Sequence, residues 1–197
     1  DVYARRFSDA DAQSKMAIWK PIVGYLQRFI DPERPVLDVA ADRGYFINHV
    51  EASERWSSDV RDTSAGLGSG IRFVHASGLD LDDHLPAAHF GTIFMSNYLE
   101  HLASSDEVMA QFRVVERLLR PGGRVIVLQP NIRLVGPRYW DFIDHRVALT
   151  ERSLAEAAEL AGLRTVKTIT RFLPYATGRL LPSDPRLVRL YLAFRPA

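Results

Sequence analysis

The sequence predicts an α/β domain built on a doubly wound, mainly parallel sheet. Three observations point there. Short apolar runs alternate with segments of helical periodicity from residue 36 to residue 173. The runs end in polar residues instead of tight hairpin turns, at Asp38, Asp59, Ser77 and Asn97. The chain has 197 residues, 47% hydrophobic and 25% charged, enough for one domain with a sizeable core.

The elements follow in order. Residues 8–30 read as helical, with Met16, Ile18, Trp19, Ile22, Val23, Leu26, Phe29 and Ile30 on an apolar face, and Pro21 is expected to split the segment. VLDVA (36–40) reads as a strand and GYFINHVEA after it as a helix. ERWSSDV (54–60) is a weaker strand, TSAGLGSG a loop, and IRFVHAS (71–77) a clearer strand. FGTIFMSN (90–97) is an apolar strand; SSDEVMAQFRVVERLLR (104–120) is an amphipathic helix that Ser104 or Ser105 can cap and Pro121-Gly122-Gly123 ends. RVIVLQP (124–130) is rich in β-branched residues and reads as a strand. The irregular segment NIRLVGPRYWDFIDHRVAL leads to the helix ERSLAEAAELAGL, capped by Thr150 and stopped by Gly162, and RTVKTITRFL is expected to be a last strand. Parallel neighbours joined this way take right-handed crossovers and bind ligands beyond the carboxyl ends of their strands. Function is therefore sought at the strand ends.

Composition excludes several classes. A net charge of +1 argues against a general nucleic-acid binder. The absence of cysteine removes disulfides, thiolate metal sites and a cysteine nucleophile, and fits a cytoplasmic protein. No apolar run approaches the length that spans a bilayer, and there is no signal-peptide pattern. The stretch from Arg171 onward carries five arginines against the single Asp184, with Phe172, Tyr175, Tyr191 and Phe194 among them. It reads either as a contact for an anionic acceptor or membrane surface, or as a helix, PRLVRLYLAF, packed on the domain with its arginines in water. No signal of oligomeric state is present.

After the first strand stand Asp38, Ala40, Asp42 and Gly44; Asp59 follows 21 positions beyond Asp38. A carboxylate there can accept both hydroxyls of a ribose. No G-x-G-x-x-G is present, which ranks a nicotinamide-dependent oxidoreductase low. VLDVAADRG, Asp59, FGTIFMSNYLEHL and LLRPGGRVIVLQPN, in this order and spacing, resemble the class I S-adenosylmethionine-dependent methyltransferases over residues 33–175. QPNIR, YWDFIDH and RFLPY are similar to a subset found in sugar and cell-envelope biosynthesis.

The resemblance implies a Rossmann-like sheet and S-adenosylmethionine as cofactor, with Asp59 at the ribose. Asp38 and the Ala40–Gly44 loop would hold the methionine end, and Ser77 and Asn97 would line the adenine and methyl region. It divides a single domain into a helical cap (1–32), a cofactor-binding core (33–130) and an acceptor-side segment (131–197). It also implies a further strand, antiparallel to RTVKTITRFL; PRLVRLYLAFRPA reads as a helix, so either the chain continues or the sheet lacks that edge member. The departure from the family pattern is that only Gly44 remains of three alternate glycines, with Ala40 and Asp42 in the other places.

Methyl transfer needs the acceptor aligned with the methyl group and, for a hydroxyl, a proton removed. His101, in NYLEHL, is a candidate base, or a packing residue of the next helix. His145 is another, or a structural contact, with Asp144 beside it. Glu100 is a base or a sulfonium-steering group, or a helix-start carboxylate. Tyr139, Trp140 and Phe142 offer a stacking platform for a sugar, or a buried face. Asn131 and Arg133 would donate hydrogen bonds to the acceptor. His49, His75, His84 and His89 form no constellation; His101, His145 and nearby carboxylates could ligate a metal, but no ligand spacing supports it. The expected function is O-methylation of a sugar, glycan-like or other small acceptor. The alternatives are a binding or regulatory module of the same fold without methyl transfer, and cofactor-assisted cyclisation.

Overall fold

The computed structural model describes residues 9–173 and 184–194. Five strands, β1 (Val36–Val39), β2 (Arg55–Asp59), β3 (Ile71–His75), β4 (Phe90–Ser96) and β5 (Leu119–Leu128), form one parallel sheet in the order β3-β2-β1-β4-β5. The order reverses between β1 and β4, so β1 is flanked on both sides and wholly buried. The helices are α1 (Asp9–Leu26), α2 (Ser105–Leu118), the single turn α3 (Ile132–Val135), α4 (Glu151–Leu160) and α5 (Pro185–Ala193).

Successive strand side chains point to opposite faces, and the core divides accordingly. Leu37, Val39, Ile93 and Met95 join Val108, Phe112 and Val115 of α2 and Ala157 of α4 in one cluster. Val36 and Phe94 face the other way, onto Phe46, Ile22 and Leu26 of α1, and Leu192 of α5. The spacing 108, 112, 115 keeps one helical face toward the sheet. Ser104 caps α2 by accepting from Glu107 N–H, and Thr150 caps α4 in a reciprocal capping box with Ser153.

Four expectations change. Pro21 lies inside a continuous α1; the helix loses one hydrogen bond there and continues, anchored by its buried face. The segment after Gly44 is a run of turns instead of a regular helix, with Asn48 N–H donating to the Gly44 carbonyl at 3.0 Å and Val50 N–H to that of Phe46 at 3.2 Å. The side chain of Asn48 bonds Gly66 O and Gly68 N, which fixes this short stretch against the β2–β3 connection. β5 begins at Leu119, directly after α2, and absorbs Pro121-Gly122-Gly123 as an irregularity between the Phe90–Leu119 and Thr92–Arg124 pairs. RTVKTITRFL forms no strand. Val166 is exposed while Ile169 packs on the core, and among the described residues β5 has no neighbour on its outer side.

PRLVRLYLAF is helical, as read. Asp184 caps it, Leu192 and Val188 pack toward α1, and Arg186 and Arg189 face outward. Tyr175 lies outside the described residues. Among those described, no helix is long and apolar enough to cross a membrane.

Candidate active site

At the reversal of strand order a cleft of about 760 Å³ opens over the carboxyl ends of β1, β2 and β4. A smaller cavity of about 320 Å³ at the opposite end, lined by Arg28, Arg34, Arg120 and Arg124, holds none of the strand-end carboxylates. The loop after β1 rims the larger cleft. Ala40, Asp42 and Gly44 all take left-handed backbone conformations, with φ of 54°, 50° and 72°. The alternation that three glycines would supply is therefore kept with one. At Gly44 the glycine is needed twice over, since a Cβ would also lie 2.6 Å from Leu67 Cδ2.

Two carboxylates stand beneath this loop. Asp38 is 3% exposed and accepts a hydrogen bond from the Ile47 backbone; burial holds its pKa well above the usual carboxylate range, and the nearby Asp59 charge adds to this. Asp59, at the end of β2, is 4% exposed. Its Oδ2 accepts from Asp42 N–H at 3.0 Å, and its Oδ1 from the backbone and Nε of Arg61 at 2.9 and 3.2 Å. Arg61 Nη2 also donates to Asp42 Oδ1 at 3.0 Å, so the aspartate in a glycine's place ties the loop to the end of β2. Burial alone would lower the Arg61 pKa; Asp59 and Asp42 more than offset it.

Trp19, Tyr45 and Phe46 form an apolar wall of the cleft. Ser77 lines the side beyond β3, its Oγ accepting from Leu79 N–H at 3.3 Å. Asn97, just past β4 at φ 46°, is exposed into the cleft. Tyr98 donates to Gln111 Oε1 at 2.8 Å, and burial raises its pKa.

The far wall is polar. Glu100 is 1% exposed, and its carboxylate accepts from Tyr139 Oη and, at 2.9 Å, from Gln129 Nε2. Its backbone carbonyl accepts from Arg146 and Val147 N–H, which draws the irregular segment after β5 back over the β4 end. His101 lines the cleft; its Nδ1 lies 3.0 Å from the Asp144 carbonyl and 3.5 Å from Asp144 Oδ2. His145 places Nδ1 2.6 Å from the Tyr139 carbonyl and stacks on the Tyr139 ring at 4.1 Å. The two imidazoles are 5.0 Å apart, centre to centre.

Of the residues singled out in the sequence, Asp38, Ala40, Asp42, Asp59, Ser77, Asn97, His101 and Asp144 line one cleft. Gly44 shapes its loop, and Glu100 and His145 stand behind His101. Asn131 and Arg133 are placed elsewhere. They donate to Glu151 at 2.6 and 3.0 Å, joining α3 to the start of α4, and the Asn131 bond is the first cause of the lowered Glu151 pKa. Tyr139 is buried and Trp140 packs on it edge-on at 5.6 Å, while Phe142 is exposed; none of the three lines the cleft, so they form no stacking platform there. Arg61, Tyr98 and Gln129 escaped sequence reasoning. Only Arg61 left a trace, a cation two positions after the expected ribose acid.

Residues 11–168 match a family model described as a methyltransferase domain. No curated protein matches the chain. Among solved structures, a SAM-dependent methyltransferase from Archaeoglobus fulgidus superposes with a TM-score of 0.61 at 15% identity, covering 89% of this chain and 86% of that one. A SAM-dependent methyltransferase of Leishmania major gives 0.64 at 14% identity, over 80% and 68% of the two chains. The mitomycin 7-O-methyltransferase MmcR gives 0.61 at 13% identity, over 80% and 50%. At these identities the likeness is one of fold.

Proposed function

The chain belongs to the methyltransferase-domain family, and from that premise we propose that it transfers a methyl group from S-adenosylmethionine to an oxygen of a small hydroxyl-bearing acceptor, sugars and glycans included. The observation that carries this reading is the loop at residues 40–44. It keeps three alternate left-handed residues above buried Asp38, with Asp59 at the end of the neighbouring strand.

The residues present fit the cofactor. The cleft volume falls in the range of small-molecule sites, and its wall is aromatic on one side and acidic on the other. Asp59 would accept the ribose hydroxyls, sharing its oxygens with Arg61. Asp38 and the loop backbone would hold the methionine end, and Ser77 would border the adenine. When bound, S-adenosylmethionine supplies an electrophilic methyl group on a sulfonium. Asn97 and His101, past the end of β4, are the groups that would meet the acceptor, and Asp144 fixes the His101 ring. Alignment is the chief contribution such a site makes to an in-line displacement.

A second reading, a module that binds without transferring, draws on Arg61 spanning Asp59 and Asp42 where a ribose would dock. Incubation with methyl-labelled S-adenosylmethionine and a panel of sugars, lipid-linked sugars and phenols separates the two. Label on an acceptor hydroxyl supports transfer. Tight cofactor binding with no label on any acceptor rejects the hydroxyl-methylation reading in favour of the binding module.

A further inference from the structure

We infer that Glu100, His101 and His145 form a divalent-metal site beside the cleft. One donor atom from each lies within 4.8 Å of the others, although 44 positions separate the two histidines in the chain.

Three features make this more than a chance cluster. A carbonyl oxygen can only accept, so the Nδ1 of His101, facing the Asp144 carbonyl, and that of His145, facing the Tyr139 carbonyl, both carry their protons. In the neutral imidazoles this leaves each Nε2 with a lone pair. Metal-bound histidines are held in the same way, with the second nitrogen donating to a carbonyl or carboxylate. Glu100 is the second feature. It is 1% exposed, and among the described residues the only basic side chain within 4.0 Å of its oxygens is His101, with Nε2 at 4.0 Å from Oε1. A buried carboxylate is costly without a cation, and hydrogen bonds from Tyr139 and Gln129 orient it without neutralising it. The third feature is position: His101 lines the cleft, so an ion here would have a face open to whatever occupies it.

Two nitrogens and one carboxylate oxygen suit borderline ions such as Zn²⁺, Co²⁺, Mn²⁺ or Fe²⁺ better than Ca²⁺. Ligands at about 2.0–2.2 Å from one ion lie about 3–3.5 Å apart, so binding draws the donors together by about an ångström. Both histidines are partly exposed, which leaves their rings room to turn. Three protein ligands leave coordination positions open. An acceptor oxygen in one of them would be polarised, which deepens the methyltransferase reading to acceptors that can coordinate a cation, such as vicinal diols. That last step rests on the proposed function; the metal binding itself does not.

The test is titration of Co²⁺, followed by its visible absorption, and of Zn²⁺ by calorimetry, into chelator-stripped protein. Glu100→Gln and His145→Gln are compared with the unchanged chain, and each is also titrated with S-adenosylhomocysteine. The expected result is one ion per chain, bound at least tenfold more weakly in both variants, with S-adenosylhomocysteine affinity changed less than threefold. Preserved S-adenosylhomocysteine binding also reports that the variants are folded. Absence of saturable binding, or equal binding in the variants, overturns the site and leaves the methyltransferase reading standing. A metal that binds as expected to a chain that ignores S-adenosylhomocysteine keeps the site and removes its link to methyl transfer.

Discussion

Ala40 and Asp42 occupy conformations that glycine takes without penalty, and the cost to an L-residue is roughly 1–2 kcal/mol each. Ala40→Gly removes the clash but adds entropy to the unfolded chain, so a net gain of about 0.5–1 kcal/mol is expected, read as a higher denaturant midpoint at unchanged slope. A lower midpoint would mean that the alanine is not strained. Asp38 yields a prediction with a definite sign. Folding raises its pKa, so the folded protein retains a proton that the unfolded chain releases above about pH 4. The stability linked to that proton is complete below the unfolded value and is lost as pH rises through the folded one. Asp38→Asn keeps an oxygen for the Ile47 N–H and has no charge to bury. Its melting temperature relative to the unchanged chain should climb between pH 4 and pH 7; a flat difference would contradict the assignment. Asp38, Gly44 and Asp59 were legible because strand ends and spacing fix such residues locally. The Arg61 bridge was not, because it depends on where a side chain turns.

The elements that the sequence announced most clearly carry their own boundary signals. α2 and α4 begin at Ser104 and Thr150, each followed by an amphipathic run, and both caps are formed. The expected strand at 164–173 failed for the complementary reason. Apolar alternation marks a residue as able to pair, but pairing needs a partner, and residues 164–173 form no ladder with β5. Pro21 shows the reverse, a local breaker overruled by the apolar face that holds α1 to the sheet. The turn after β3 presses on α2 through Gly78, where a Cβ would meet Tyr98 Oη at 2.4 Å and Gln111 Oε1 at 2.6 Å. Gly78→Ala should therefore part the Tyr98–Gln111 bond and lower stability by about 1–3 kcal/mol, measured by chemical denaturation. An unchanged midpoint would show that the turn can move away from α2.

In the whole molecule the reversal of strand order between β1 and β4 does the positioning. It sets the loop after β1 and the acid ending β2 against the segment after β4, and the segment after β5 folds back to close the far wall. The side of this cleft formed by Asp38, Asp59, Ser77 and Asn97 was visible in the sequence, because these residues stand at strand ends. Glu100, His101 and His145 were legible as candidates, but their meeting within 4.8 Å had no spacing to support it, since a long irregular segment has no periodicity from which to read its return. The central claim is that the altered loop still holds the cofactor, with Asp59 at its ribose. Calorimetric titration of S-adenosylhomocysteine into the protein and into Asp59→Ala tests it most directly. Micromolar binding is expected, weakened at least tenfold in the variant, or about 1.4 kcal/mol. No binding by the folded protein, or equal binding by both, would contradict it.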